Sequence, residues 1–236
     1  MPIQYNHLLQ GFVYNNISDR DYRTFLHEEG YLLNNRRFKL FTFSRLEGQF
    51  KVERDRKLIQ FYPPFRLVIS SAIEQFITDL AQTLISAEFL SLGKNVVEVS
   101  SITVVKDPQF TDRLQVKMIS PMVAYSTENR DGRNFYRYYS PWEPRFSELV
   151  RENLKRKYIL IHGRQPEPDH FVIYPNGNRE QDFYRIIKFK GNPIKAWAGI
   201  YWLVGNPELI KVAYDTGLGS KNSQGLGCFE VVGGEG

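Results

Sequence analysis

The spacing of apolar residues along the first quarter of the chain predicts two helices followed by a strand. Residues 5–17 place apolar side chains at three- and four-residue intervals, as on one face of a helix. Ser18 and Asp19 can cap a second helix, which ends at Gly30. Over residues 38–46 the polar and apolar positions alternate, which is typical of a strand.

The next stretch continues this mixed pattern up to Asp107-Pro108, a candidate domain boundary. Residues 72–86 form an amphipathic pattern that predicts a helix. Strands are predicted on both sides of it, at 57–62, at 65–72 after a break at Pro63-Pro64, and in the β-branched run 95–106.

After the boundary the order repeats in outline. Helices are predicted from Pro144 to residue 163 and from Pro207 to Gly217, since proline suits the first turn of a helix and glycine its end. Strands are predicted at 114–120, 135–140, 170–175, 183–191, 194–205 and 228–232.

Each half therefore mixes strands with two or three helices, and the second half ends as a βαββαβ unit does. We predict an α+β protein of two tandem ferredoxin-like (βαββαβ, RRM-like) domains. The N-terminal domain spans residues 1–108, and the C-terminal domain spans 109–236 and carries a glycine-rich loop. A single continuous α+β sandwich is the competing interpretation.

Composition narrows the class of protein. Cys228 is the only cysteine, so neither an intramolecular disulfide nor a cysteine metal site can form. The start, MPIQYNHLLQ, lacks the charged and apolar regions of a signal peptide, and no apolar run approaches the length of a membrane span. We expect a cytoplasmic protein with no membrane partner and no cofactor or metal.

Positive charge is concentrated in two stretches. Residues 36–57 carry eight Lys or Arg against three acidic residues, a net charge of +5 that equals the net charge of the whole chain. Residues 185–195 carry four basic residues and no acidic one. Basic side chains interleaved with aromatic ones suit a surface that follows an RNA backbone, although a solvated strand face has the same composition. The candidate RNA-binding residues here are Arg36, Arg37, Arg45, Lys188 and Lys190.

A glycine-rich loop, GLGSKNSQGLGC, occupies residues 217–228. A dinucleotide-binding loop follows a strand and opens a helix, whereas this loop follows a helix and precedes a strand. Glycines permit close backbone approach, so they serve either contact with a phosphate or tight packing. Both interpretations stay open from the spacing alone. The candidate contacts are Gly217, Gly219, Lys221, Ser223, Gly225 and Gly227.

The four histidines show no metal-ligand spacing. His27 lies at the end of the second predicted helix, where the ordinary expectation is a solvated side chain. In an RNA-binding protein without a metal site, however, a histidine is the natural group for proton transfer. Tyr14 on the preceding helix and Lys39 on the following strand can approach it if these elements pack together.

These motifs carry a resemblance to a known family. The segment GLGSKNSQGLGCFEVV after an amphipathic helix resembles the C-terminal signature of the CRISPR-associated endoribonucleases that cut precursor CRISPR RNA within its repeats, in the repeat-associated mysterious protein superfamily. The segments YNHLLQGFVYNNI, FLHEEG and FKLFTFSRL are similar to that family's opening helices and first hairpin. The resemblance covers residues 5–46 and 206–232, and the middle of the chain is not diagnostic.

The resemblance implies two ferredoxin-like domains and metal-independent cleavage. A ribose 2′-hydroxyl would attack the adjacent phosphate, leaving a 2′,3′-cyclic phosphate and a 5′-hydroxyl. It also implies a catalytic triad of Tyr14, His27 and Lys39, and CRISPR repeat RNA as the partner, with subunits of a CRISPR effector complex as further candidates. The alternatives are a related protein that binds repeat RNA without cutting it, and a small-molecule enzyme that holds a nucleotide in the glycine loop.

The start of the chain departs from the family pattern, in which a strand precedes the first helix. Here residues 1–7 already reach the edge of that helix. Either the first strand of the N-terminal domain is missing or another segment fills its place. An open sheet edge is prone to pairing with another chain. We therefore expect a less stable N-terminal domain or a strand-mediated homodimer.

Overall fold

The computed structural model describes residues 1–130 and 132–233, and its first half carries three helices and eight short strands. The helices are α1 (Asn6–Asn15), α2 (Arg20–Thr24) and α3 (Glu74–Ser86). The strands are β1 (Tyr31–Leu33), β2 (Arg36–Phe38), β3 (Phe41–Phe43), β4 (Glu47–Glu53), β5 (Leu58–Arg66), β6 (Ile69–Ser71), β7 (Leu90–Leu92) and β8 (Asn95–Val97).

The strands of this half pair as antiparallel hairpins and short ladders: β1 with β2, β3 with β6, β4 with β5, and β7 with β8. The start of the chain supplies a remnant of a first strand, since Pro2 forms a single bridge with Leu58 at the start of β5. Two backbone hydrogen bonds hold this remnant, from Ile3 N to Lys57 O and from Ile59 N to Met1 O. The place of the first strand is therefore filled, but over three residues only.

The second half contains the ferredoxin-like sheet expected from the sequence. Its elements are β9 (Arg113–Met118), β10 (Tyr125–Arg130), β11 (Arg133–Tyr138), α4 (Pro144–His162), β12 (Phe171–Pro175), α5 (Glu180–Phe183), β13 (Tyr184–Phe189), β14 (Asn192–Trp197), β15 (Ile200–Gly205), α6 (Pro207–Thr216) and β16 (Phe229–Val231). The four-stranded sheet has the antiparallel order β12-β15-β9-β16. Its strands and helices follow the chain order βαββαβ, with the hairpins β10–β11 and β13–β14 as insertions.

Four strand predictions are wrong in their bounds. The strand expected over 38–46 is interrupted at Leu40, which has φ +55°, so β3 covers only Phe41–Phe43. Pro63-Pro64 does not break β5, because the prolines lie where the pairing with β4 shifts register and no ladder donor is needed. The stretch 194–205 is two strands rather than one. Gly199 separates them with φ +101°, against the ring of Phe183. The strand predicted over 95–106 ends at Val97.

Each half has a main hydrophobic core, and the glycine loop joins the two. The first core packs α1 and α3 with β3, and the second packs α4 and α6 on the four-stranded sheet. Thr42 Oγ1 on β3 donates to Leu226 O, and Asn6 Nδ2 on α1 donates to Gln224 O and Gly225 O. The loop of the second half thus sits directly on the first helix and a core strand of the first half.

Candidate active site and nucleic-acid interface

His27 lies in a π-helical turn, Phe25–Glu29, that continues α2 and ends at Gly30. The last carbonyls of a helix have no partner within it, so other groups must satisfy them. Three side chains do so here, on three successive residues. Tyr14 Oη donates to Leu26 O at 3.4 Å, Lys39 Nζ to His27 O at 3.2 Å, and Arg37 Nη1 to Glu28 O at 2.7 Å. The backbone on both sides of His27 is therefore fixed, while its side chain is exposed.

Tyr14 contacts His27 directly. The two rings meet edge to face with their centroids 5.5 Å apart, and Tyr14 is almost fully buried. Burial raises the pKa of Tyr14 to about 12, and the Ser223 side chain beside the phenol opposes part of that rise. At neutral pH the phenol is therefore a hydrogen-bond donor and not a base.

Lys39 completes the group of three. Its side chain lies over Gly30, where an added Cβ would be 2.9 Å from Lys39 Cδ, so the glycine makes room for the lysine. Partial burial, followed by the nearby Arg37, lowers the pKa of Lys39. A cation in this position suits the stabilisation of an anion beside His27. The three residues that the sequence singled out are thus brought together by α1, the π-helical turn and the short connection from β2 to β3 that carries Lys39.

A cavity of about 330 Å³ opens next to Lys39, between the two halves of the chain. Its wall comprises Arg36, Arg37, Phe38, Lys39, Leu40, Phe41, Tyr125, Thr127, Asn153, Lys157, Ser220, Lys221, Asn222 and Ser223. Five of these residues are basic, and none of the described lining residues is acidic. Such a wall attracts a polyanion. Tyr14 and His27 do not line the cavity, although Ser223 and Lys39, their neighbours, do.

The glycines of the loop are closely packed, Gly217 and Gly225 against residues of the first half and Gly219 and Gly227 against residues of the second. A Cβ on Gly217, Gly219, Gly225 or Gly227 would approach another atom to between 2.1 and 2.6 Å, and all four have positive φ. The groups they would strike include Val123 O, the Phe43 ring and Leu218 O. Tight packing accounts for the four glycines, whereas Lys221 and Ser223 of the same loop face the cavity.

Lys157 on α4 holds this loop from the other side. Its Nζ donates to Gly217 O at 2.7 Å, to Asn222 Oδ1 at 2.8 Å and to Thr216 O at 3.3 Å, and the residue is only 2% exposed. Asn222 in turn donates to Leu218 O and Leu226 O. Burial lowers the pKa of Lys157 to about 7.

Lys157 and Asn153 were not predicted as functional residues, although the sequence contains a signal for them. Both are polar residues on the apolar stripe of α4, four residues apart, among Val150, Leu154 and Tyr158. A polar side chain at a core position needs a partner or a role. The Oδ1 of Asn153 is buried without a hydrogen-bond partner among the described residues.

The remaining residues predicted to bind RNA are not part of the cavity wall. Arg45 stacks over the ring of Tyr5 at 4.7 Å. Lys188 and Lys190 are exposed on β13 and in the turn after it. The hairpin β13–β14 packs on Leu226 of the glycine loop, so these lysines extend the basic surface beyond the cavity.

Comparison with known proteins decides the family. A family model described as CRISPR-associated protein Cas6, N-terminal, matches residues 1–103, and one described as CRISPR associated protein Cas6, C-terminal, matches residues 105–231. The chain belongs to the Cas6 family. The resemblance seen in the sequence is thereby confirmed, whereas the division at residue 108 stays a prediction.

Individual Cas6 proteins agree with this. The chain is 27% identical to a CRISPR-associated endoribonuclease Cas6 of Pyrococcus furiosus, over 99% of this chain and 84% of that one. The solved structure of a Cas6-related gene product from Pyrococcus furiosus superposes with a TM-score of 0.84 at 19% identity, over 99% of this chain and 92% of that one. An RAMP protein binding different RNA substrates superposes with a TM-score of 0.81 at 18% identity, over 98% and 93%. These structures confirm the tandem ferredoxin-like fold.

The described residues contain neither a metal-binding cluster nor a helix that could cross a membrane. In the two described ranges, no three His, Cys, Asp or Glu residues lie close enough to hold a metal ion. Within those ranges, too, every helix is too short or too polar to cross a membrane.

Proposed function

We propose that this protein is an endoribonuclease that cleaves CRISPR repeat RNA. The reaction is attack of a ribose 2′-hydroxyl on the adjacent phosphate, without a metal ion, and it yields a 2′,3′-cyclic phosphate and a 5′-hydroxyl. The observation that carries the proposal is the contact of Tyr14 and Lys39 with the turn of His27, next to a basic cavity. The name of the Pyrococcus furiosus relative, an endoribonuclease, supports the same activity.

Each of the three residues has a distinct role in this proposal. His27, the exposed imidazole, moves the proton of the 2′-hydroxyl or of the leaving 5′-oxygen. Lys39 stabilises the charge that builds on the phosphorane. Tyr14 holds the turn and the ring of His27. It does not act as a base, since a phenol with a pKa of about 12 is ionised in only about one molecule in 10⁵ at pH 7.

RNA lies across the cavity in this proposal. Arg36, Arg37 and Lys221 contact phosphates, and Ser223 contacts the backbone close to Tyr14. Arg45, Lys188 and Lys190 extend the path, and the loop glycines act by placing Lys221 and Ser223. Direct contact of the glycines with RNA stays a prediction, as does assembly with subunits of a CRISPR effector complex.

The test is incubation of repeat RNA with the protein in EDTA. We expect a single cut, a 2′,3′-cyclic phosphate end, and no cut when the nucleotide 5′ of the scissile bond carries a 2′-deoxy substitution. His27→Ala should slow cleavage about 10²- to 10⁴-fold, the usual contribution of general acid–base catalysis, with RNA binding retained. His170→Ala, at another exposed histidine, is the matched control.

Two outcomes would point elsewhere. Tight binding of repeat RNA by the wild-type protein without cleavage indicates a binding protein. Cleavage that proceeds on the 2′-deoxy substrate, or that EDTA abolishes, contradicts the proposed chemistry.

A further inference from the structure

The segment of residues 98–106, EVSSITVVK, has the composition of a strand, but it pairs with no strand of the described residues. Strand β8 ends at Val97, and within the described residues no hydrogen bond involves any backbone group of this segment. Valine, isoleucine and threonine favour the extended backbone of a sheet. Exposed backbone groups without hydrogen-bond partners are a template for another strand.

The cause lies in the topology of the N-terminal half. In the C-terminal half the last strand, β16, pairs with the first strand, β9. In the N-terminal half the equivalent first strand is the three-residue remnant that bridges Leu58. It is too short to pair with a nine-residue segment, so the ladder that would complete the unit does not form.

The segment exposes apolar side chains and is held at both ends. Val104 is 90% exposed, Val105 56% and Ile102 39%. Before them Val99 packs on the N-terminal core, and after them Asp107 accepts from Lys211 Nζ on α6 at 2.9 Å. Tethering reduces the entropy that the segment loses when a second strand pairs with it.

The segment has a negative charge at one end, Glu98, and a positive charge at the other, Lys106, so two antiparallel copies place opposite charges side by side. An antiparallel pair centred on Ile102 sets Glu98 opposite Lys106 at both ends. Between them Val99 faces Val105 and Ser100 faces Val104, and such β-branched and opposite-charge pairs stabilise a ladder. Both charged side chains are exposed, and no ion pair within the described residues engages either of them.

We propose that residues 98–106 pair antiparallel with the same residues of a second copy of this chain. The two-fold axis passes through Ile102, so each copy contributes the same surface. A ribbon of nine residues per chain is small for a protein interface. We therefore expect a dimer in the micromolar range, which forms without RNA.

Sedimentation of the full chain over about 1–200 μM tests this, with charge variants as the diagnostic. Glu98→Lys and Lys106→Glu should each raise the dissociation constant about tenfold, since each sets two like-charge pairs in the ribbon. The double variant Glu98→Lys/Lys106→Glu restores opposite pairs and should dimerise like the wild type. Glu88→Lys, an equal charge change at an exposed site outside the segment, is the matched control.

A backbone variant gives an independent readout. Ile102→Pro removes a donor at the centre of the ribbon, and the monomer makes no hydrogen bond there, so the variant should stay folded and become monomeric. A wild-type chain that is monomeric at 200 μM overturns the proposal. So does a dimer in which the double variant is no tighter than the single ones, because the copies then meet through another surface. RNA cleavage plays no part in these readouts.

Discussion

The glycine loop allows a quantitative prediction at Gly227, where the structure leaves no room for a side chain. Its φ is +85°, and an added Cβ would lie 2.1 Å from Leu218 O and 2.6 Å from Asn222 Nδ2. Leu218 O accepts from Asn222, which also accepts from Lys157. A shift that relieves the clash in Gly227→Ala must therefore disturb the hydrogen bonds that hold the loop.

The magnitude follows from two contributions. A left-handed backbone costs a residue with a Cβ about 1–2 kcal/mol. Overpacking against backbone adds about 1–3 kcal/mol. We expect Gly227→Ala to lower the free energy of unfolding by about 4 kcal/mol, which for a chain of this size lowers the Tm by about 8–16 °C.

Gly163 separates the two contributions. It ends α4 with φ +68°, and no atom lies within 4 Å of an added Cβ. Gly163→Ala therefore meets only the backbone cost, about 1 kcal/mol, or about 2–4 °C in Tm. Thermal and urea unfolding of both variants measure the difference. Equal losses in the two variants would refute the conclusion that packing selects the loop glycines.

Three further predictions concern protonation and RNA. Burial lowers the pKa of Lys157 to about 7 in the folded state, whereas the unfolded chain keeps this proton up to about pH 10.5. Between these values the unfolded state binds one proton more than the folded state. The free energy of unfolding should therefore rise from pH 7 to 10 by up to about 1.4 kcal/mol per pH unit. Lys157→Met should remove this slope in urea unfolding; an unchanged slope contradicts the assignment. Tyr14→Phe keeps the ring against His27 but loses the bond to Leu26 O. This variant should slow cleavage about tenfold. It should leave the pH–rate profile between pH 6 and 9 unchanged, because a group with a pKa of about 12 does not titrate there. A displaced profile would instead indicate that Tyr14 is the base. Lys221→Ala should reduce the slope of log affinity against log salt by about one, and a slope equal to that of the wild type would remove Lys221 from the phosphate contacts.

The sequence predicted the helices more reliably than the strands. The apolar stripes of α1, α3 and α4 and the caps of α6 were read from neighbouring residues, and the observed helices lie within two residues of the predicted bounds. A strand also needs a partner, which the local pattern does not contain. The β-branched run 95–106 therefore has the composition of a strand but forms one over three residues only.

The residues of the site likewise fall into two groups, those that the sequence indicated and those that only the structure revealed. Tyr14, His27 and Lys39 lie within 26 positions of one another and carry a recognisable family pattern, so the sequence could single them out. Lys157 meets the loop 59 to 65 positions further along the chain, and no nearby residue indicates that contact. Its only trace in the sequence is a charged residue on an apolar stripe.

The sequence by itself determined the class of fold, the family and the identity of the residues proposed to act on RNA. It did so because periodicity, capping and motif spacing are properties of residues close together in the chain. Only the tertiary structure showed that close packing accounts for all four loop glycines. Gly225 lies against Phe43 of the other half, and Gly227 lies against Leu218 of the loop itself. The tertiary structure also decided that a buried lysine anchors the loop and that residues 98–106 have no partner strand among the described residues. These are contacts between distant segments, as in the bond from Thr42 to Leu226 across 184 positions, and they exist only once both halves have folded together.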